Sequence, residues 1–121
     1  MARVNHFEIP ADRPERATEF YKQVFGWTVK KWNGPQDYWL VETGKTGEPG
    51  INGAIVKRSA LPVTTNTVNV PSVDEYVRRI TSAGGKVVMP KMAVPGQGFM
   101  AYCADTEGNQ FGIMQTDPSA K

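Results

Sequence analysis

The chain has 121 residues, one cysteine, and 14 basic against 12 acidic side chains for a formal net charge of +2. The charges are scattered without runs of one sign, so there is no electrostatic footprint for nucleic acid or for an acidic membrane surface. The lone Cys103 excludes an intrachain disulfide and a multi-cysteine metal site; no apolar run approaches a membrane span, and the opening MARVNHFEIP lacks the apolar core of a secretory signal. A single cytoplasmic domain is the expectation.

Val4 to Ile9 alternates: Val4, His6 and Glu8 share one face of a strand, Asn5, Phe7 and Ile9 the other, with Phe7 and Ile9 facing the core. Asp12-Arg13-Pro14-Glu15 opens a helix, with Asp12 as cap, Pro14 in the first turn and Glu15 closing a capping box. The helix spans about Arg13–Val24, its apolar stripe formed by Ala17, Phe20, Tyr21 and Val24 and its end set by Gly26. Trp27 to Trp32 reads as a strand, Asn33-Gly34-Pro35 as a turn, Tyr38 to Thr43 as a strand, Gly44 to Gly50 as a loop and Ile51 to Lys57 as a strand. Ser59 to Val63 is a linker.

The order then repeats. Thr65 to Val70 is a strand, and Ser72-Val73-Asp74-Glu75 is a second capping box. It opens a helix over about Ser72–Ala83 with Val73, Tyr76, Val77 and Ile80 as its stripe, ended by Gly84-Gly85. Lys86 to Met89 is a strand broken by Pro90 and resumed to Val94; Pro95 to Gly98 is a loop, and Phe99 to Ala104 a strand. Asp105 to Asn109 turns into a last short apolar strand, Phe111 to Met114, and Asp117 to Lys121 reads as a frayed tail. The chain is therefore one domain of two βαβββ repeats, about 3–58 and 64–116. One helix covers only one face of a four-stranded sheet. Layer logic predicts an α+β fold in which two curved mixed sheets face each other and enclose a cavity, with the helices outside.

HFEIPADRPERATEFYKQVFGW, VPSVDEYVRRITSAGGKV and DTEGNQFGIMQ resemble, in order and spacing, the vicinal oxygen chelate superfamily of glyoxalases, bleomycin-resistance proteins and extradiol dioxygenases. The likeness rests on His6, the Phe20-Tyr21 pair, Phe25-Gly26-Trp27 and the Asp-x-x-Gly-Asn turn at Asp105–Asn109, and it covers about Val4 to Gln115. It implies a small glyoxalase-like protein that forms a homodimer and takes a small-molecule ligand. In the family's metal-dependent members, a His or Gln on each first strand and a Glu on each last strand bind one divalent ion. Carried over residue by residue, those positions are His6, about Thr65, about Ala54 and Gly112. Alanine and glycine offer no donor atom and a lone hydroxyl is a poor one, so no bound metal and no cofactor are expected. Glu8 could supply a second donor, and Glu42 a third if its strand turns it inward.

The candidate ligand-binding residues are His6, Glu8 and Trp39; His6 and Glu8 are also the candidate catalytic pair. His6 is the one neutral-pH imidazole, either lining the cavity or surviving as a hydrogen-bonded leftover. A His–carboxylate pair in a pocket can abstract a proton next to a carbonyl, although Glu8 also reads as a solvated or paired charge. Trp32, Tyr38, Trp39, Phe99 and Tyr102 supply aromatic surface for a flat or apolar ligand, or ordinary core. Met89, Met92, Met100 and Met114 read as core packing or as an adaptable pocket lining, and Cys103 reads as a buried inert thiol. Three functions compete: a metal-independent small-molecule binder, a lyase, isomerase or dioxygenase using His6 and Glu8 or an unrecognised metal set, and an interaction module.

Overall fold

A computed structural model describes residues 2–34 and 37–121. Its elements are β1 (Arg3–Ala11), α1 (Pro14–Phe25), β2 (Thr28–Lys31), β3 (Tyr38–Glu42), β4 (Asn52–Lys57), β5 (Thr65–Asn69), α2 (Val73–Ser82), β6 (Lys86–Val94), β7 (Gly98–Ala104) and β8 (Gln110–Thr116). The fold is α+β with mixed strand pairing, and the described residues carry the βαβββ order twice. Pro35 of the expected turn lies outside the described residues.

Two compact units divide the chain. One is His6–Thr64; the other joins the residues up to Asn5 with Thr65–Lys121. In the His6–Thr64 unit the strand order is β2-β3-β4-β1, with β1 parallel to β4 and the β2-β3-β4 neighbours antiparallel. The second-repeat unit has the matching order β6-β7-β8-β5, with β5 parallel to β8. The parallel pairs align Glu8 with Ala54 and Thr67 with Gly112. Each first strand therefore meets its own unit's last strand through equivalent residues.

Helical and strand periodicities meet on one face of each sheet. In the His6–Thr64 unit, Ala11, Trp39, Val41 and Ile55 form a buried cluster, against which Phe7, Ala17, Tyr21, Trp27 and Val29 pack. In the second-repeat unit, Val70, Val73, Ala101 and Ile113 form the cluster, with Val68, Tyr76, Val77, Ile80, Phe99 and Phe111 around it. Burial of a side chain such as Val73 or Ile113 contributes about 1.5–3 kcal/mol.

Four local expectations are corrected. Asp12 does not cap α1: the N-cap is Arg13 without a side-chain cap bond, and Asp12 is engaged by Arg58, whose Nε donates at 3.0 Å. By contrast Ser72 caps α2, its Oγ accepting from the Glu75 N–H at 3.2 Å. On α1, Phe20 and Val24 stand 55% and 54% exposed, and the residues that pack are Pro14, Ala17 and Tyr21. Strand β6 runs through Pro90 without a break. It is the outer strand of its unit, where a missing N–H costs no ladder bond, and two register shifts absorb the distortion. The tail after Asp117 is tied down: Ala120 is buried, its carbonyl accepts from Gly96 N–H at 2.9 Å, and Asp117 N–H donates to Gln97 at 2.8 Å.

A hydrogen-bonded candidate site on one sheet face

Alternation in β1 sends Phe7 and Ala11 toward α1 and leaves His6 and Glu8 on the opposite face. In β3 it sends Trp39 and Val41 toward α1 and leaves Tyr38, Leu40 and Glu42 on the face of His6 and Glu8. Tyr38 closes a chain there. Its Oη lies 2.8 Å from His6 Nε2 and donates to Glu8 Oε2 at 2.9 Å. The His6 and Tyr38 rings are nearly parallel, 8° apart, with centroids at 6.3 Å. Trp32 meets Tyr38 edge-on at 6.0 Å, and its backbone N–H donates to the Tyr38 carbonyl at 2.7 Å. The Trp32 ring occupies the space a Cβ at Gly34 would need.

Protonation follows from this geometry. Glu8 is only 3% exposed; as a carboxylate it only accepts, so Tyr38 donates to it. The phenol oxygen then accepts from His6, which fixes the proton on Nε2. His6 Nδ1 is left as an acceptor, with no hydrogen bond to the described residues. Burial lowers the His6 pKa from its ordinary 6.5, partly opposed by the Glu8 charge, so the imidazole is neutral at pH 7.

Asn52 stands opposite His6 in the β1–β4 register, on the same face. Its Oδ1 accepts from the Thr43 backbone N–H at 2.9 Å, while Thr43 Oγ1 donates to the Ile51 carbonyl at 2.7 Å. A backbone N–H can only donate, so the Asn52 amide is oriented without ambiguity.

The sequence candidates therefore separate. His6 and Glu8 come together; Trp39, 7% exposed, is placed on the other face in the α1-side core, with Lys31 Nζ 5.2 Å from its ring centre. Glu42 is exposed on the Glu8 face. Tyr38 is the residue that joins the pair, and the charged Glu42 four positions on, against Trp39 and Val41 between them, is the signal that marks its face. Phe99 belongs to the second-repeat core. Cys103 is fully buried and burial raises its thiol pKa, which suits an inert thiol.

The four positions equivalent to family metal ligands do not make a donor set. In the His6–Thr64 unit His6 is engaged with Tyr38, and Ala54 has no donor. In the second-repeat unit the Thr65 hydroxyl accepts from Gln110 Nε2 at 3.2 Å, and Gly112 lies under the Tyr102 ring, which a Cβ would meet at 3.4 Å. Among the described residues no three His, Cys, Asp or Glu side chains gather closely enough to hold an ion. An open depression of about 270 Å³ in the second-repeat unit is lined by Asn69, Val70, Pro71, Gln115 and Thr116. Gln115 is already used there, accepting from the Val73 N–H at 3.0 Å to cap α2.

The fold and this polar face fit a class of small two-repeat α+β domains. The sequence model of the Glyoxalase/Bleomycin resistance protein/Dioxygenase superfamily matches residues 3–113, and the chain belongs to that superfamily. No curated protein matches it. Among solved structures, a hypothetical protein of Bacillus halodurans C-125 has a TM-score of 0.73 at 9% identity, covering 99% of this chain and 98% of its own. A variant of Streptomyces coelicolor methylmalonyl-CoA epimerase in complex with 2-nitronate-propionyl-CoA has a TM-score of 0.68 at 12% identity, covering 100% and 99%. Methylmalonyl-CoA epimerase from Mycobacterium tuberculosis has a TM-score of 0.65 at 15% identity, covering 94% and 87%. At these identities the likeness shows the fold alone. No helix of the described residues is long and apolar enough to cross a membrane.

Proposed function

We propose that this protein binds a small organic molecule without a metal ion, on the sheet face that carries His6, Tyr38, Glu8 and Trp32. The observation that carries the reading is the buried Glu8 carboxylate held through Tyr38 to a neutral imidazole whose second nitrogen has no partner among the described residues. A buried ionised chain costs desolvation that an apolar face would avoid, and retaining it is consistent with selection for a ligand. Trp32 and Leu40 supply apolar surface beside it. That a structural neighbour holds a coenzyme A derivative makes organic ligands a reasonable class to search.

Exposing the purified protein to a metabolite pool and weighing retained compounds by native mass spectrometry tests this. Retention by the wild type and loss in His6→Ala supports it; equal retention, or none, overturns it. A ligand at 100 times its Kd would add about 2.7 kcal/mol of stability. The open Nδ1 favours a second reading, a metal-free proton-transferring enzyme with His6 as base. Deuterium uptake from solvent into a retained compound, dependent on His6, would select it.

We also propose a homodimer. Within their units β2 and β6 each pair on one side only, and β6 exposes Val87, Val88 and Met89. Light scattering at about 100 μM, above weak-dimer dissociation constants, should give twice the chain mass.

A further inference from the structure

The hydrogen-bond inventory around His6 specifies more than an organic ligand. On this face His6 Nδ1 and Asn52 Nδ2 have no hydrogen-bond partner among the described residues. His6 Nδ1 is an acceptor because the chain through Tyr38 to Glu8 holds the proton on Nε2. Asn52 Nδ2 is a donor because the Thr43 N–H holds Oδ1, and this amide nitrogen has no partner among the described residues. His6 and Asn52 are in register on adjacent strands, and adjacent strands lie about 4.8 Å apart. The two side chains therefore rise from the sheet side by side, an acceptor and a donor that one small group can meet together.

We infer that His6 and Asn52 form an acceptor–donor edge that recognises a ligand bearing an N–H next to a carbonyl in cis, as in a lactam or cyclic imide. The ligand N–H donates to His6 Nδ1, and its carbonyl accepts from Asn52 Nδ2. This rests on the binding function proposed above and narrows it. A carboxylate fits less well, because its second oxygen would face Nδ1 with two lone pairs opposed and the Glu8 charge close behind. A primary amine leaves Asn52 unanswered. Tyr38 is a positioning residue here: it acts on the ligand through the His6 tautomer.

The test titrates 2-quinolinone and N-methyl-2-quinolinone, a flat lactam with and without the N–H, into the full chain followed by NMR. The tautomer of His6 is read in the same sample from long-range proton–nitrogen correlations. The lactam should bind at least about tenfold more tightly than its N-methyl form, the weight of one well-made hydrogen bond, and should shift the His6 and Asn52 signals. In Asn52→Asp the Thr43 bond is kept while the donor becomes an acceptor, and that preference should disappear with the fold intact. Tyr38→Phe should convert His6 to a mixture of tautomers and weaken the lactam several-fold. Equal affinity for the two compounds, no saturable binding of the lactam, or an apo His6 with its proton on Nδ1 would each overturn the inference. Those outcomes are separable from failure of the broader reading, since His6-dependent retention of compounds lacking an N–H beside a carbonyl would leave that reading standing.

Discussion

The two repeats share an element order and a strand register and differ in what they place at matching positions. Where β1 offers His6 and Glu8, β5 offers Thr65 and Thr67; where β4 has Ala54, β8 has Gly112. On the helix-facing side the contrast is reversed between strands. In the first repeat the aromatic ring comes from β1, as Phe7, and its partner on β4 is Gly53; in the second Asn66 stands on β5 and the ring comes from β8, as Phe111. The register is conserved in space while large and small residues trade strands, as close packing demands. The polar face shows no such trade. Among the described residues its ionisable hydrogen-bond chain is built in the first repeat alone, and the second fills the equivalent ground with the Tyr102 ring and the Thr67 hydroxyl, which has no partner among those residues.

The most severe way to break the helix-side trade is Gly53→Ala. A Cβ there would overlap the Phe7 ring and its carbonyl oxygen, and a backbone atom cannot swing away. About 3 kcal/mol of destabilisation is expected, the upper part of the range for overpacking, read as a fall in the urea midpoint. Gly112→Ala, on the polar face of the other repeat at the position that matches Ala54, meets Thr67 Oγ1 at 3.1 Å and the edge of the Tyr102 ring at 3.4 Å. It should change stability by less than about 1 kcal/mol, because the lost glycine entropy offsets a small shift of the ring. Equal effects at the two positions would refute the packing account.

The next pair tests the polar faces. Tyr38→Phe removes the hydroxyl that joins His6 to Glu8 and should cost about 1–2 kcal/mol. Thr67→Val removes a hydroxyl that is buried, 4% exposed, with no partner among the described residues. It should raise stability by about 1 kcal/mol, since an unsatisfied buried polar group is a net cost. Opposite signs in chemical denaturation are the expected result; loss of stability in both would mean that the Thr67 hydroxyl is satisfied in solution.

Much of this was legible in residue pattern. The repeated element order, the α2 stripe and its Ser72 cap follow from local spacing, and β1 alternation alone pairs His6 with Glu8. The rest turned on competition between parts distant in sequence. Tyr38 and Trp39 are neighbours on opposite faces, and size favours Trp39 as an aromatic contact; the β3–β4 register puts Trp39 in the core. Asp12 has the chemistry of a cap, but Arg58, far along the chain, holds it. Phe20 has helical spacing but sits to one side of the stripe that packs, and Val24, in line with Ala17, stands exposed in the last turn. The order of the tail comes from backbone bonds to Gly96 and Gln97, which leave no mark in side-chain pattern.

The smallest effect concerns pH. Burial sets the folded His6 pKa below its ordinary 6.5, with Glu8 opposing part of the shift. Between the lowered folded value and about 6.5 the unfolded chain binds the proton and the folded chain does not. Stability therefore rises with pH across that window, and falls as acid drives His6 to charge in a site that disfavours it. The second repeat has a threonine at the matching position and contributes no such term. Urea midpoints measured at pH 7.5 and pH 5.5 should show the wild type losing more stability on acidification than His6→Gln, which keeps a donor for Tyr38 but does not titrate. Carboxylates common to both proteins cancel in the difference, so the excess isolates His6. Parallel pH profiles would mean that the surroundings leave the His6 pKa where it stands in the unfolded chain, and a larger acid loss in His6→Gln would mean that they raise it, which would leave Nδ1 of the first repeat an acceptor in a smaller share of molecules at neutral pH.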